Sequence, residues 1–411
     1  MDMKRAFGLV CATALIAVAC GGPAVTQRAS TGASQAPAST GASSAPSTAA
    51  STEPSVAASA QATPGVDLGH CSDAAADLSA TSTGPNGEES TSASDIPDLT
   101  DEQVAAANAA GYKWAYLPSG ASTWFNAVGE GAKAEAERLG LTLTVTADSN
   151  FDPAKQAADV ESAMATDPDI IVTLPVDPTQ GAEAFRPAVD AGVKLVFNDN
   201  GVDGFTAGEE YVAIVTGDHF GMGDAAADLM SQALPDGGPI GVIFHDADFY
   251  VTNNRDCRFV AAVEQNYPEL EIVATSGMTE EGATESITSA MLTQHPEIKG
   301  IYVTWSAAAT GALAALRGAD RSDVKVVVHD LDAANDLDMA QNGNHFGAAA
   351  DRPYEIGQMQ IRTAVLSLLG QDVPGFITVP VVTETRDTIV EAWHDSLNAE
   401  PPQEILDALA E

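Results

Sequence analysis

Lys113-Trp114-Ala115-Tyr116-Leu117-Pro118-Ser119-Gly120-Ala121-Ser122-Thr123-Trp124-Phe125, running on through Asn126 to Leu139 and into Gly140-Leu141-Thr142-Leu143-Thr144-Val145-Thr146, reads as apolar run, turn, amphipathic segment and second apolar run. A short continuous apolar run bounded by turn residues predicts a strand buried on both faces, and charges gathered on one side of the intervening segment predict a helix that covers it. The theme repeats outward from there. Runs at Asp169–Pro175, Val193–Asn198, Tyr211–Thr216, Pro239–Phe244, Glu271–Thr275, Gly300–Thr304 and Lys325–His329 alternate with helical segments such as Ala154–Ala165 and Gln180–Ala191. So many alternations exceed one ordinary open sheet. Right-handed crossovers then build an α/β fold of two doubly wound parallel-sheet lobes, each covered by helices.

The N-terminal end has a different character. Lys4 and Arg5 precede an apolar run, Ala6 to Ala19, that is too short for a stable membrane span but fits the core of an export signal. Small residues at Ala17 and Ala19 permit cleavage before Cys20. The stretch Ile16-Ala17-Val18-Ala19-Cys20-Gly21-Gly22 resembles a bacterial lipoprotein signal, which implies removal of residues 1–19 and acylation of Cys20. From there to Pro64 the chain is almost entirely Ala, Ser, Thr, Gly and Pro, with Arg28 and Glu53 its only charges. Such a segment cannot offset its ordering entropy and reads as a flexible tether, residues 20–64, for an extracytoplasmic domain held at the bacterial cell membrane. Residues 65–110 read as a weakly structured N-terminal extension. Of four cysteines, Cys71 and Cys257 remain once Cys11 and Cys20 are assigned to the signal and its acylation. They form one candidate disulfide or stay as two thiols, since sequence alone sets no distance between them.

With 58 acidic against 18 basic residues, a formal net charge of −40, the chain lacks the clustered Lys and Arg that a nucleic acid requires. Ligands of open parallel sheets bind beyond the carboxyl ends of strands. Those positions hold Ser119, Ser122, Trp124 and Phe125; Asn198, Asp199 and Asn200; His245, Asp246 and Asp248; Trp305 and Ser306; His329 and Asp330. Aromatic faces beside hydrogen-bonding groups and an Arg suit a polyhydroxylated ring, with apolar C–H faces and hydroxyls that donate and accept.

The stretch from Lys113 to about Trp393 resembles the type I periplasmic sugar-binding proteins, nearest to the ribose-binding kind. The resemblance is carried by Ser122-Thr123-Trp124-Phe125 with the following helix, by Asp152-Pro153-Ala154-Lys155-Gln156, by Leu174-Pro175-Val176-Asp177-Pro178, by Arg255 with Phe259, and by Asp330 closing its strand. It implies lobes built from 111–217 with 353–384 and from 218–352 with 385–400, joined by crossovers near Gly217, Arg352 and Thr385. It also implies a ligand gripped by Ser122, Trp124, Phe125, Asn198, Asp199, Arg255, Trp305, Asp330 and Asp351, with no cofactor, no metal and no catalysis. Two departures matter. Asn198-Asp199 stands where ribose binders carry Asp-Arg, and Trp305-Ser306 where they carry Asn-Asp, so specificity should move away from ribose.

The expected function is a monomeric, lipid-anchored solute-binding protein that closes on a small sugar or polyol and passes it to the permease and ATPase of an ABC importer. A sensory receptor that reports occupancy to a chemotaxis or kinase partner is the alternative. The repeated His245-Asp246 and His329-Asp330 pairs lack the spacing of a metal site, and Asp199, Asp330 and Asp351 would also be the acids of a glycosidase if turnover occurred.

Overall fold

The computed structural model describes residues 66–411. The expected signal, the expected acylation site Cys20 and the expected tether to residue 64 lie outside the described residues. Seven parallel strands make the first sheet, in the order β1 (Thr91–Ser92), β12 (Phe376–Val379), β6 (Ala213–Gly217), β5 (Lys194–Asn198), β4 (Ile170–Thr173), β2 (Lys113–Leu117) and β3 (Thr142–Thr146). Six make the second, in the order β13 (Val382–Thr385), β11 (His345–Ala350), β10 (Lys325–His329), β9 (Gly300–Val303), β7 (Gly238–His245) and β8 (Leu270–Met278), with β13 antiparallel to β11. Helices α2 (Asp101–Ala110), α3 (Thr123–Arg138), α4 (Pro153–Met164), α5 (Pro178–Asp190) and α11 (Pro353–Leu368) cover the first sheet. The second is flanked by α1 (Asp73–Ala76), α6 (His219–Ala233), α7 (Tyr250–Asn266), α8 (Thr284–Gln294), α9 (Ser306–Gly318), α10 (Ala333–Ala340), α12 (Ile389–Leu397) and α13 (Gln403–Leu409).

Local chemistry starts these helices where the strands end. Ser122, Asp152, Asp177, Asp218 and Asp332 each accept a backbone N–H in the first turn of α3, α4, α5, α6 and α10, and Pro153, Pro178 and Pro353 occupy first-turn positions that need no N–H donor. In the first lobe α3 and α11 approach through glycine. A Cβ on Gly131 would lie 1.9 Å from the Tyr354 carbonyl oxygen, and one on Gly357 2.0 Å from that of Val128.

The chain changes sheet after Gly217, after Ala350 and between Val379 and Val382, the last a few residues ahead of the expected Thr385. The three crossings touch. Gly217 leaves room for Asp351, whose Cβ would be 2.8 Å from any Cβ placed there, and the Asp218 N–H donates to Val379 O at 3.2 Å. Two strands depart from the expected double-sided burial: β3 and β8 are edge strands, with β2 and β7 as their single neighbours, and most of their residues are exposed or half-buried.

The extension also differs from expectation. Residues 66–99 form an ordered strap across both lobes. Leu68 and Ala75 lie in the second-lobe core, Cys71 is bonded to Cys257 of α7, and the Arg258 guanidinium donates to the carbonyls of Asp77 and Leu78 at 2.7 and 2.8 Å while it holds Asp224. Midway, the Ser82 hydroxyl donates to Asp218 at the first crossing (2.6 Å), and Tyr250 donates to the Thr83 carbonyl. Beyond, β1 adds an edge strand to the first sheet, and Ala93, Ile96 and Leu99 enter its core. A low-apolar segment is ordered here because a covalent link spanning 186 residues and a buried Arg hold it from the far lobe.

Cutting that link should free the strap. Cys257→Ser, or reduction of the native protein, is expected to lower stability by about 2–4 kcal/mol, read as a fall in melting temperature. Limited proteolysis should then cleave first between residues 66 and 99; an unchanged melt and digest would show that the strap is held by its other contacts alone.

Candidate functional site

The carboxyl ends of both sheets meet at the crossings, and there the two lobes present the same local design. β5 ends in Lys194-Leu195-Val196-Phe197-Asn198 and turns at Asp199; β10 ends in Lys325-Val326-Val327-Val328-His329 and turns at Asp330. Both aspartates are left-handed, at φ 57° and 66°, and each donates its N–H over 3.4 Å to the adjacent strand, to Val215 O and Ala349 O respectively. Asp tolerates this region better than most residues, and its recurrence beside a cleft marks a place where chain direction serves a site.

Arg255 of α7 is the centre of the charge pattern. It is 5% exposed, and its Nη1 donates to Asp330 Oδ2 at 3.3 Å. Burial works against its charge, but Asp330, Tyr302, Asp256 and Asp351 outweigh burial and hold its pKa above the usual value. The same guanidinium, after burial itself, presses neighbouring imidazoles toward neutrality. His219 falls to about 3, His329 falls well below its usual value, and His245 is lowered.

Around it stand three further carboxyls. Asp256 accepts from the Tyr302 hydroxyl (2.5 Å) and from the His245 N–H (3.0 Å), and the same Tyr302 hydroxyl is 2.9 Å from His329 Nε2. Asp199 accepts from Thr216 Oγ1 at 2.5 Å, and Thr216 in turn lies 2.7 Å from His219 Nε2. Burial pushes the Asp199 carboxyl up to about 7, with Thr216 and Arg255 opposing and Asp330 adding to it. Asp351 accepts from Trp124 Nε1 at 2.9 Å, which joins α3 to the second crossing. Burial, then Asp330 and Asp199, raise it well above the usual carboxylate range. Asp330 is raised by burial, with Arg255 opposing.

Thus Trp124, Asp199, Arg255, Asp330 and Asp351 come together, contributed from both lobes. Phe125 backs Trp124 edge-on, with ring centroids 5.1 Å apart. Asn198 is buried with its Oδ1 lacking a protein partner, as are Arg255 Nε, Asp330 Oδ1 and His219 Nδ1. Two expected residues are engaged otherwise. The Ser122 hydroxyl caps α3 by accepting from the Phe125 N–H (3.2 Å), and Trp305 donates to Glu281 at 2.7 Å and stands edge-on to His245 at 5.1 Å. Asp330 does not cap α10; Asp332 does. Among the described residues no group of three or more His, Cys, Asp or Glu is placed to hold a metal ion. A cavity of about 700 Å³ lined by Ile96, Tyr354, Met359, Arg362 and His394 lies under the strap and contains none of the cleft residues.

Sequence reading missed Thr216, His219, Asp256 and Tyr302. Their signal was faint: Asp256 adjoins Arg255, and Thr216 and His219 bracket the first crossing, but neither bears a motif.

The raised carboxyls fix the sign of a pH effect. Between the ordinary value near 3.8 and about 7, native Asp199 holds a proton that the unfolded chain has lost, so stability falls as pH rises through that window. Asp336, also raised to about 7 by burial in the second lobe, acts in the same direction. The buried histidines His219, His245, His329 and His345, held neutral below their usual 6.5, act in the opposite direction, so the carboxyl is tested by difference: Asp199→Asn should lower stability at pH 5.5 relative to pH 7.5, compared with the parent, by roughly 1.4 kcal/mol per pH unit at most. An Asp199→Asn variant whose melting temperature changes between pH 5.5 and 7.5 just as the parent's does would contradict the assignment.

Comparison with known proteins places this arrangement. The model of the periplasmic binding protein domain family matches residues 115–372, well over half of the chain. The ribose import binding protein RbsB of Escherichia coli is 27% identical over 252 residues, covering 61% of this chain and 82% of the relative. The D-ribose/D-allose-binding protein of Pseudomonas aeruginosa is 27% identical over 277 residues, covering 64% and 86%. Among solved structures, an ABC transporter solute-binding protein of Mycobacterium smegmatis with bound glycerol aligns at a TM-score of 0.60 and 28% identity, over 67% of this chain and 95% of that one. One from Agrobacterium vitis, bound with alpha-D-tagatopyranose, has a TM-score of 0.62 at 22% identity, over 68% and 96%, and shows the fold alone. Two interdigitated α/β lobes, a charged cleft at their crossings and a family model spanning both lobes lead to one conclusion: the chain belongs to the periplasmic binding protein domain family.

Proposed function

We propose that the protein is the extracytoplasmic solute-binding component of an ABC importer, closing its lobes on one small sugar or polyol and handing it to a membrane permease driven by an ATPase. The observation that carries this reading is the cleft itself, where Arg255, Asp330 and Asp351 of the second sheet's strands and helices meet Trp124, Asn198 and Asp199 of the first. Asn198 Oδ1, Arg255 Nε and Asp330 Oδ1 have no protein partner, and hydroxyls of a ring or chain that both donate and accept satisfy such groups. Relatives named as import binding proteins support the transport role over sensing.

In this mechanism Trp124, held by Asp351, offers a flat apolar wall, and Phe125 supports it from behind. Arg255 offers donors to ligand oxygens while Asp330 fixes its plane, and Asp199 with Asn198 closes from the opposite lobe. The three crossings at Gly217, Asp351 and Val379 act as the hinge. Binding selects the closed shape, and a permease distinguishes loaded from empty receptor by that shape. No step makes or breaks a covalent bond. The anchor at Cys20 and the tether to residue 64 would keep a monomeric receptor close to its permease while leaving the lobes free to turn.

Thermal-shift screening of the purified protein across pentoses, hexoses, polyols, nucleosides and amino sugars tests the reading, because a ligand that binds the native state raises the melting temperature with its occupancy. A hit is expected among sugars or polyols. Arg255→Ala should weaken it by about 100-fold or more, as loss of a charged hydrogen-bonding partner in a buried site costs roughly 3 kcal/mol, and Asp330→Ala should act in the same direction. Normal binding by both variants would place the site elsewhere in the protein; consumption of any sugar would make it an enzyme.

A further inference from the structure

The charge around the cleft does not balance. Facing Asp199 are Asn198 on its own strand, Thr216 on β6, His219 on α6, Tyr250 and Arg255 on α7, Asp330 after β10 and Asp351 after β11. Behind Arg255 lie Asp256, Tyr302 and His329. Among the described residues Arg255 is the one basic side chain linked to these acids. Neighbouring arginines are engaged away from it: Arg258 on Asp224 and the strap, Arg352 near Glu355 (3.7 Å) and Asp395 (3.9 Å). Asp199, Asp330 and Asp351 thus share one guanidinium, which hydrogen-bonds Asp330 alone.

The hydrogen-bond count leans the same way. Thr216 donates to Asp199, so its oxygen takes the His219 Nε2–H, and a neutral His219 then presents a bare Nδ1. His219 is 2% exposed, and that nitrogen is buried with no protein partner. With Asn198 Oδ1 and Asp330 Oδ1 it makes three buried acceptors that lack a protein donor, while Arg255 keeps as donors its Nε and the N–H groups not used on Asp330. A site with several carboxyls around one guanidinium, and open acceptors beside them, is complementary to a ligand that brings positive charge and donors together.

We infer that the solute captured between the lobes carries a protonated amine on a hydroxylated skeleton, an amino sugar or amino polyol, with its ammonium among Asp199, Asp351 and Asn198 and its hydroxyls toward Arg255. This rests on the solute-receptor reading above and names its ligand class. An ammonium has three donors in tetrahedral directions, which matches carboxyls that approach from different elements, and the half-buried Trp124 ring adds an electron-rich face beside it. The alternative counter-charge is a proton on each spare carboxyl, and the two choices give opposite pH responses. A cation must expel protons from Asp199 and Asp351 to bind, so its affinity falls as pH drops through the Asp199 value of about 7. A neutral polyol that accepts from protonated carboxyls gains affinity over the same drop.

Isothermal titration of the full extracytoplasmic chain decides between them, with matched probes: galactosamine against galactose, glucosamine against glucose, and 1-amino-1-deoxysorbitol against sorbitol, at pH 7.5 and 5.5 in two buffers of different ionisation heat. The expected result is that at least one amine binds about ten-fold or more tightly than its hydroxyl partner, releases protons on binding, and weakens at pH 5.5. Asp199→Asn and Asp351→Asn, the latter keeping an acceptor for Trp124, should each narrow the gap within the pair, with melting curves confirming that the variants fold. Equal or tighter binding of the hydroxyl partners, or an amine preference that survives both variants, overturns the inference and leaves the sugar-receptor reading standing. If no amine and no hydroxyl compound binds the folded protein, the receptor reading falls with it.

Discussion

A guanidinium taken out of water is the constraint around which this cleft is organised. Removing such a charge from solvent costs several kcal/mol even after the protein relaxes, and nothing apolar returns it. Arg255 is held by Asp330 directly and by Asp256 and Asp351 through the field, and its presence explains features that look unrelated. Histidines near it are neutral. Tyr302 is committed to bridging Asp256 and His329, which keeps that acid fixed behind the guanidinium. Phe259, one turn further along α7, stacks on Tyr302 at 4.0 Å and fixes the ring that carries the bridge. Apolar packing and the polar network are therefore one unit in the second lobe.

Much of the architecture was legible because its strands are short and buried on both faces, so that runs such as Ile170-Ile171-Val172 and Val326-Val327-Val328 need no alternation to be recognised. Where the fold escaped reading, competing signals were local. β11 ends in Gly347-Ala348-Ala349-Ala350, whose propensity favours helix, and it becomes a strand through its pairing with β10 and β13. β12 and β13 have four residues each, with Pro380 between them. The strap was legible at one point only: Cys71 and Cys257 stood as a candidate disulfide, and that bond forms, but the grip of Arg258 on Asp77 and Leu78, about 180 residues apart, has no local pattern to announce it. In the site, residues that end strands were legible, since topology places function there. Thr216 and His219 were not, because their role follows from what they do to Asp199.

The strap also bears on motion. Hinged receptors need crossings that bend without breaking, and here a third element lies on them: Ser82 holds Asp218, which caps α6 and donates its N–H to the third crossing. Tyr250, at the start of α7, stands edge-on to Phe376 of the first lobe at 6.3 Å and donates to the strap. The lobes are thus coupled through the strap as well as through the three crossings, so their relative rotation must either slide the strap or pivot about Ser82 and Asp218. Pivoting is the less costly route, since the Ser82 and Tyr250 hydroxyl contacts turn more readily than two buried anchors shift.

The repeated strand end shows how one local design yields a polar site from two similar halves. Asp199 and Asp330 share φ, neighbour and N–H distance, so backbone alone does not distinguish them. What differs is the group each meets. Asp330 faces Arg255 and is largely neutralised by it; Asp199 faces a threonine that can donate but brings no charge. The cleft is therefore compensated at its second-lobe wall and uncompensated at its first-lobe wall, and a molecule entering it is oriented before any contact of shape. Asp199 and the guanidinium attract across the cleft, which means that the lobes attract each other most when Asp199 is ionised. A ligand that supplies positive charge between them has to exceed that attraction, and one that supplies only hydroxyls has to fit within it.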